Sequence, residues 1–491
     1  LTDFGLDLVF ATVLYVALLL VIGVGARRVR IERSVDDFYL AGRSFGFLVL
    51  FLTLFATQYS GNSFSGFPGQ VYREGLAYVM SVPITIAIVV GYLLFAPRLF
   101  ALSRRFGFLT PTDYLNMRFR SRALSTLASV IFVWTLGNFL VAQLMALGQV
   151  FSGFTGGAVP YRLVVVTGAV VVLGYQLLGG MRAAAWTDVL QGALILVGLV
   201  LIAGLIWREV GSPPQVVRTI QLLRPDLITT PDLETSLIWI SNLLLIGLGT
   251  PLYPQAIQWV YAARRLRDLR RTLAVSAVIP IGTVTVVIFI GAAGIALFPH
   301  LDRLAADQVT FRVVSYLVES SAFAYYPALL VALAVAAAIM STADSCLLSL
   351  TSILTEDVLR ARRPLEVRRA EWPRGMIATV MVLSAAVAAL VAMRPLTTLW
   401  GLLIVKFEVL VQLSPAFVLG TLHDRGDGDA FAVSEILAGI AAGLSVTLVL
   451  YLSGYRSLYG LNAGTVGVAV NYTVVFLIRM RRLARTTLTI T

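Results

Sequence analysis

Apolar residues along this chain gather in runs of about twenty, the length a helix needs to cross a bilayer, parted by short segments rich in arginine or glycine. The runs lie near 6–25, 45–71, 77–102, 124–150, 161–178, 184–207, 235–260, 273–298, 324–353, 375–393, 396–420, 431–453 and 461–479. Backbone polar groups inside hydrocarbon must be satisfied within the segment, so the pattern predicts an all-α polytopic membrane protein of about thirteen transmembrane helices. The longest interruptions, near 208–234 and 299–323, are too short to build a sizeable soluble core, and residues 1–491 read as a single membrane domain. After Pro299, residues Leu301, Leu304 and Val309 fit a short amphipathic helix on the membrane surface.

Two runs are interrupted where the others are smooth. The second carries Gln58-Tyr-Ser-Gly-Asn-Ser63 and then Gly66-Phe-Pro-Gly69; the seventh carries Gly247-Leu-Gly-Thr-Pro251 and Tyr253-Pro254-Gln255. Glycine and proline loosen the hydrogen-bond ladder, and non-helical backbone at membrane depth survives only where it is buried or lines a cavity. The two breaks stand five runs apart, as expected if 45–207 and 235–420 are inverted five-helix repeats, with an extra helix at 6–25 and two more at 431–479. Ordinary proline kinks in a bundle are the alternative reading. The ninth run has a polar face of its own: Ala338, Ser341, Thr342 and Ser345 recur at helical spacing and share one side. In hydrocarbon that side must face protein, water or an ion, unless the hydroxyls simply bond back to carbonyls one turn earlier.

Composition agrees with a membrane chain, with 58% hydrophobic residues, 13% charged residues and a mean hydropathy of +0.87. The net charge of +12 comes from arginines clustered between the runs, where they set topology, so nucleic-acid binding is excluded as a reading. The arginine-rich connections all fall on one side if the amino terminus is outside and the carboxyl terminus is in the cytoplasm of a cell (inner or plasma) membrane. The start, Leu-Thr-Asp-Phe-Gly-Leu-Asp, lacks the basic region of a signal peptide, and the first run reads as a retained span. One cysteine, Cys346, and two histidines, His300 and His423, leave no disulfide framework and no metal or cofactor chemistry. With the histidines in loops on opposite sides and no nucleophile motif beside either, the chain is not read as an enzyme.

Three stretches carry a recognisable pattern: Asp37-Phe-Tyr-Leu-Ala-Gly-Arg43, Gly179-Gly-Met-Arg-Ala-Ala-Ala-Trp-Thr-Asp188 with Gln191, and Ala337-Ala-Ile-Met-Ser-Thr-Ala-Asp-Ser345. In order and position they resemble the sodium:solute symporter family of LeuT-type secondary transporters. The resemblance implies a five-plus-five inverted repeat with extra helices at both ends and uptake of a small solute coupled to Na+. It maps a shared sodium site onto the carbonyls of Ala56, Tyr59 and Ala338 and the hydroxyls of Ser341 and Thr342. A second sodium site of some members maps onto Asp188, Ser341, Asp344 and Ser345; Asp344 stands where a hydroxyl is expected, and it reads equally as a proton carrier or an ion-pair partner. Asp188 also reads as an interfacial helix cap.

A solute pocket at the two breaks is expected to be lined by Gln58, Ser60, Asn62, Ser63, Tyr253, Gln255 and Gln258, with Asn138 and Gln143 serving either as further contacts or as packing between helices. Lys406, the only lysine, lies about ten residues into the eleventh run. Glu408, two positions on, is about 200° around the helix and is no intrahelical partner. Lys406 therefore reads as the neutraliser of an anionic solute or as half of an ion pair with Glu408 or Asp344. The sequence thus points to a Na+ symporter for a small organic solute, first a monocarboxylate, with a neutral amino acid such as proline as the alternative. A transporter-like membrane sensor is the alternative from a different class, against which the short basic tail after the last run is read.

Overall fold

The computed structural model of the protein describes residues 3–29, 34–302, 305–370, 373–394, 398–422 and 430–488. In chain order its helices are α1 (Asp3–Arg28), α2 (Val35–Leu40), α3 (Phe47–Gln58), α4 (Phe67–Glu74), α5 (Ile84–Phe106), α6 (Pro111–Phe119), α7 (Arg122–Phe154), α8 (Tyr161–Glu209), α9 (Pro213–Leu223) and α10 (Leu233–Gly249). Then follow α11 (Pro254–Ala262), α12 (Leu266–Leu297), α13 (Val309–Ser320), α14 (Tyr325–Ser352), α15 (Leu365–Ala370), α16 (Arg374–Ala392), α17 (Leu399–Leu410), α18 (Ser414–Leu422), α19 (Val433–Leu452) and α20 (Ala463–Leu488).

Among the described residues, 11 helical stretches are long and apolar enough to cross a membrane. The thirteen windows read from sequence exceed this by two for identifiable reasons. The 49-residue α8 joins the fifth and sixth windows across a sharp turn at Gly180, and the second window is split into α3 and α4, each too short to qualify alone. At Gly180 the backbone is left-handed (φ 58°, ψ −143°), and a Cβ there would lie 2.5 Å from Phe38 Cδ2. Only glycine fits both the torsion and the contact.

The bundle is centred on α14, buried at almost every position from Val331 to Ser352 and packed chiefly against α8 and α7. Small residues permit this closeness: a Cβ on Gly198 of α8 would come within 2.4 Å of the Ala334 Cβ of α14. The connection after Pro299 forms α13, whose Val309, Phe311, Val313, Val314 and Leu317 are buried against the bundle; Leu304 and His423 lie outside the described residues. The other side of α13, with Arg312, Glu319 and Ser320, is exposed, so the helix is amphipathic.

The two ends of the bundle differ. At the arginine-rich end Asp37 pairs with Arg182 (2.7 Å), Asp36 with Arg43 (3.0 Å) and Glu356 with Arg360 (2.7 Å), while Arg368 pairs with Asp113. Two stretches recognised in the sequence therefore meet here, Asp37 and Phe38 of the first against Arg182 and Gly180 of the second. At the opposite end Arg73 donates to Asp307 Oδ1 at 2.9 Å, and Asp307 Oδ2 accepts from the Leu399 amide at 3.2 Å, which ties α4 to the start of α17. Burial pushes the Asp307 carboxyl above the usual carboxylate range, against the pull of the Arg73 guanidinium.

Candidate ion and solute site

The break between α3 and α4 is held open by side chains. In an uninterrupted helix the amides of residues 60 to 63 would bond the carbonyls of residues 56 to 59. Here the Ser60 amide donates to Ser63 Oγ (3.2 Å), the Gly61 amide to Gln143 Oε1 (2.9 Å), the Asn62 amide to Ser60 Oγ (3.3 Å) and the Ser63 amide to the Ser60 carbonyl (2.8 Å). Four carbonyls are thereby released from the ladder. Gln143 is thus a support of the break, donated by α7.

Three of the released carbonyls, those of Ala56, Thr57 and Tyr59, face α14. Ser341 Oγ donates toward the carbonyls of Ala56 (2.9 Å) and Ala338 (3.0 Å), and Thr342 Oγ1 toward those of Thr57 (3.2 Å), Tyr59 (3.4 Å) and Ala338 (3.1 Å). Each hydroxyl has one proton, so two protons serve four carbonyl oxygens, and acceptor lone pairs are in surplus. An oxygen-only cluster with surplus acceptors, fully buried on Ser341 and Thr342, is chemistry suited to a hard cation of low charge. The sequence-predicted oxygens of Ala56, Tyr59, Ala338, Ser341 and Thr342 are brought together, and the Thr57 carbonyl joins them.

A second polar cluster lies between α1, α8 and α14. Asp344 Oδ2 accepts from Tyr175 (3.0 Å), Asp344 Oδ1 from Ser345 (3.3 Å), and Ser345 Oγ lies 3.5 Å from Thr57 Oγ1. Asp188 is fully buried in α8 rather than capping a helix at an interface, close enough to Asp344 for the two charges to interact. Among the described residues neither carboxylate oxygen of Asp188 has a hydrogen-bond partner, and no ion pair reaches Asp344. Gln191 donates to Tyr15 (2.7 Å) at the margin. Among the described residues no group of three or more His, Cys, Asp or Glu side chains forms a metal cage.

A cavity of about 100 Å³ adjoins both breaks. Gln58, Ser60, Asn62, Ser63, Tyr253 and Gln255 line it. The serine hydroxyl oxygens also accept the diverted amides, so part of their capacity is already used, whereas both amide atoms of Asn62, the Tyr253 hydroxyl and Gln255 Oε1 are buried without partners. Gln258 is elsewhere: its amide donates to Ser352 (2.7 Å) and accepts from Ser349, tying α11 to α14 on the side of the arginine-rich end. Asn138 lines a separate groove between α7, α14, α16 and α17.

Lys406 is fully buried, and among the described residues its ammonium makes no hydrogen bond. It sits 3.1 Å from the Phe139 ring centroid, 5.4 Å from that of Tyr253 and 5.6 Å from that of Phe407, behind three rings that face the cavity. Glu408 points the other way, accepting from Tyr451 and from the Gly464 amide (3.2 Å). The ion pairs read as alternatives for Lys406 are therefore not formed. Phe139 and Phe407 went unnoticed in the sequence because single aromatics in apolar runs carry no signal of their own.

The family whose profile matches, over residues 38–429, is the sodium:solute symporter family. Curated relatives include the sodium/pantothenate symporter of Escherichia coli (strain K12), 27% identical over 92% of this chain and 93% of its own. The osmoregulated proline transporter OpuE of Bacillus subtilis (strain 168) is 29% identical over 75% of this chain and 74% of its own. Among solved structures, a Na+-coupled sialic acid symporter in a substrate-bound outward-open state superposes with a TM-score of 0.76 at 18% identity, covering 96% of this chain and 98% of that one.

Proposed function

The chain belongs to the sodium:solute symporter family, and on that footing we propose that it imports a small monocarboxylate together with Na+ by alternating access. The observation that carries the coupling is the surplus of oxygen acceptors where Ser341 and Thr342 meet the released carbonyls of Ala56, Thr57 and Tyr59. A sodium ion among those oxygens bridges the broken span to α14 and so favours one arrangement of the two over another. Asp188, Asp344 and Ser345 offer a second, anionic site for another sodium ion, and the unpartnered oxygens of Asp188 support that assignment. Each sodium charge moving through about 100 mV contributes about 2.3 kcal/mol to solute accumulation.

Lys406 supports the anionic solute, because an ammonium buried without a counter-ion beside the cavity has a carboxylate as its natural partner. A relative named for pantothenate, itself an organic acid, agrees with this choice, while relatives named for proline favour the neutral amino acid as the second reading. With the arginine-rich end in the cytoplasm, the ion pairs at that end close the inner side, and the cavity, whose lining continues along α5 through Ile88 and Thr85 to Ser81 just before that helix, faces outward.

Reconstitution in proteoliposomes tests the reading. Uptake of labelled pyruvate, propionate and proline is measured with and without an inward sodium gradient, in the native chain and in Lys406→Ala. Saturable accumulation against the solute gradient that requires sodium is expected, a behaviour that also separates transport from sensing. Lys406→Ala is expected to weaken acid uptake tenfold or more, about 1.4 kcal/mol; uptake that lithium or protons drive equally well overturns the sodium assignment, and unchanged apparent affinity for every acid overturns the role of Lys406.

A further inference from the structure

The cavity is two-faced along its length. Its floor at the breaks is polar, with Gln58, Asn62 and Gln255, whereas its wall toward the opposite end is mostly aliphatic, with Ile84, Ile88, Val284, Val287 and Leu403 of three different helices interrupted by Thr85 and Ser81. On α5 the lining runs from Ile84 to Tyr92, eight residues or about 12 Å of helix rise. An acid of two or three carbons fills only a few ångströms at the floor and leaves the branched aliphatic wall against water. Among the described residues the unpartnered polar atoms around the cavity gather at the floor, at Asn62, Tyr253, Gln255 and nearby Lys406, with Ser81 Oγ alone beyond the aliphatic stretch.

The geometry points to a solute that is itself two-faced, a carboxylate carrying a branched or linear apolar body of about four to eight carbons, with its head toward Lys406 and Gln255 and its tail along Ile88, Val284 and Leu403. This rests on the proposed recognition of an acid by Lys406 and adds the apolar seat, which is carried by different residues. Burying each methylene against that wall contributes about 0.8 kcal/mol, close to fourfold in affinity. Propanoate, butanoate, pentanoate and 4-methylpentanoate therefore form a ladder. A passage that the solute only traverses, with no seat for a tail, gives no ladder.

The experiment is calorimetric titration of the purified full chain in sodium chloride with these four acids and with their four primary amides, repeated in potassium chloride. Affinity is expected to rise about fourfold per carbon from propanoate to pentanoate, roughly fifteenfold in all, with the acids ahead of the amides at every length. Val284→Thr keeps the volume but replaces a methyl with a hydroxyl, and it should narrow the pentanoate-to-propanoate ratio at least threefold. Equal affinity along the acid series, or no binding by any member, overturns the apolar seat. Acids and amides that climb the same ladder together uphold the seat and overturn the acid reading on which Lys406 was chosen, so the two failures are told apart.

Discussion

Removing one hydroxyl from the candidate sodium site has a consequence that follows from counting its oxygens. Ser341 Oγ lies 2.9 Å from the Ala56 carbonyl and 3.0 Å from that of Ala338, and it links those two carbonyls across the helices. Ser341→Ala deletes a neutral oxygen ligand to a cation, an interaction on the scale of a hydrogen bond to a charged group, about 1.5–3 kcal/mol. Sodium affinity should then fall by between about tenfold and about a hundredfold. The effect is read without knowledge of the solute, by thermal unfolding of the purified protein across a sodium chloride series balanced with choline chloride. At a sodium concentration about 100 times its Kd the ion stabilises the native state by about 2.7 kcal/mol, and after a tenfold loss of affinity by about 1.4 kcal/mol. Thr342→Ala should behave alike, since its hydroxyl faces the Thr57 and Tyr59 carbonyls. If both variants keep the native sodium dependence and merely melt earlier at every concentration, the hydroxyls only bond back along α14, and the ion-site argument is wrong.

Asp188→Asn should remove one sodium per cycle, lowering steady-state solute accumulation at about 100 mV roughly fiftyfold; an unchanged accumulation ratio would exclude Asp188 from coupling. Gly180→Ala forces a side chain into left-handed backbone against Phe38 and should cost at least about 1–3 kcal/mol of stability in a thermal melt; a native melting curve would contradict the tight turn in α8. Arg73→Ala strips the buried Asp307 of its ion pair and should cost about 3–5 kcal/mol, most of it recovered in Arg73→Ala with Asp307→Asn. Lack of recovery would place the role of Arg73 elsewhere.

The membrane class and the broken spans were legible because both rest on local rules: twenty-residue apolar runs, and glycine or proline inside them. The shell at Ser341 and Thr342 was legible in part, since helical spacing puts the hydroxyls on one face but says nothing of what lies opposite. Gln143 shows where local reading stops. Its amide completes a break eighty-two residues away, and nothing in its neighbours distinguishes that role from packing. Gln258, five residues on from Tyr253 and a little over one turn into α11, was grouped with the cavity by proximity in sequence, whereas the helix turns it toward Ser349 and Ser352. The aromatic enclosure of Lys406 draws on α7, the seventh-run break and α17 itself, a meeting of segments that only the fold creates.

The diverted amides of residues 60 to 63 have a further consequence. Because Ser60, Ser63 and Gln143 hold the break open, the backbone does not have to unwind each time an ion arrives, and the conformational entropy of that unwinding was lost once, during folding. A preorganised ring of oxygens binds faster and more tightly than one assembled on contact. If sodium binds there as proposed, its binding free energy is left over for moving helices, which is where a machine driven by an ion gradient needs it.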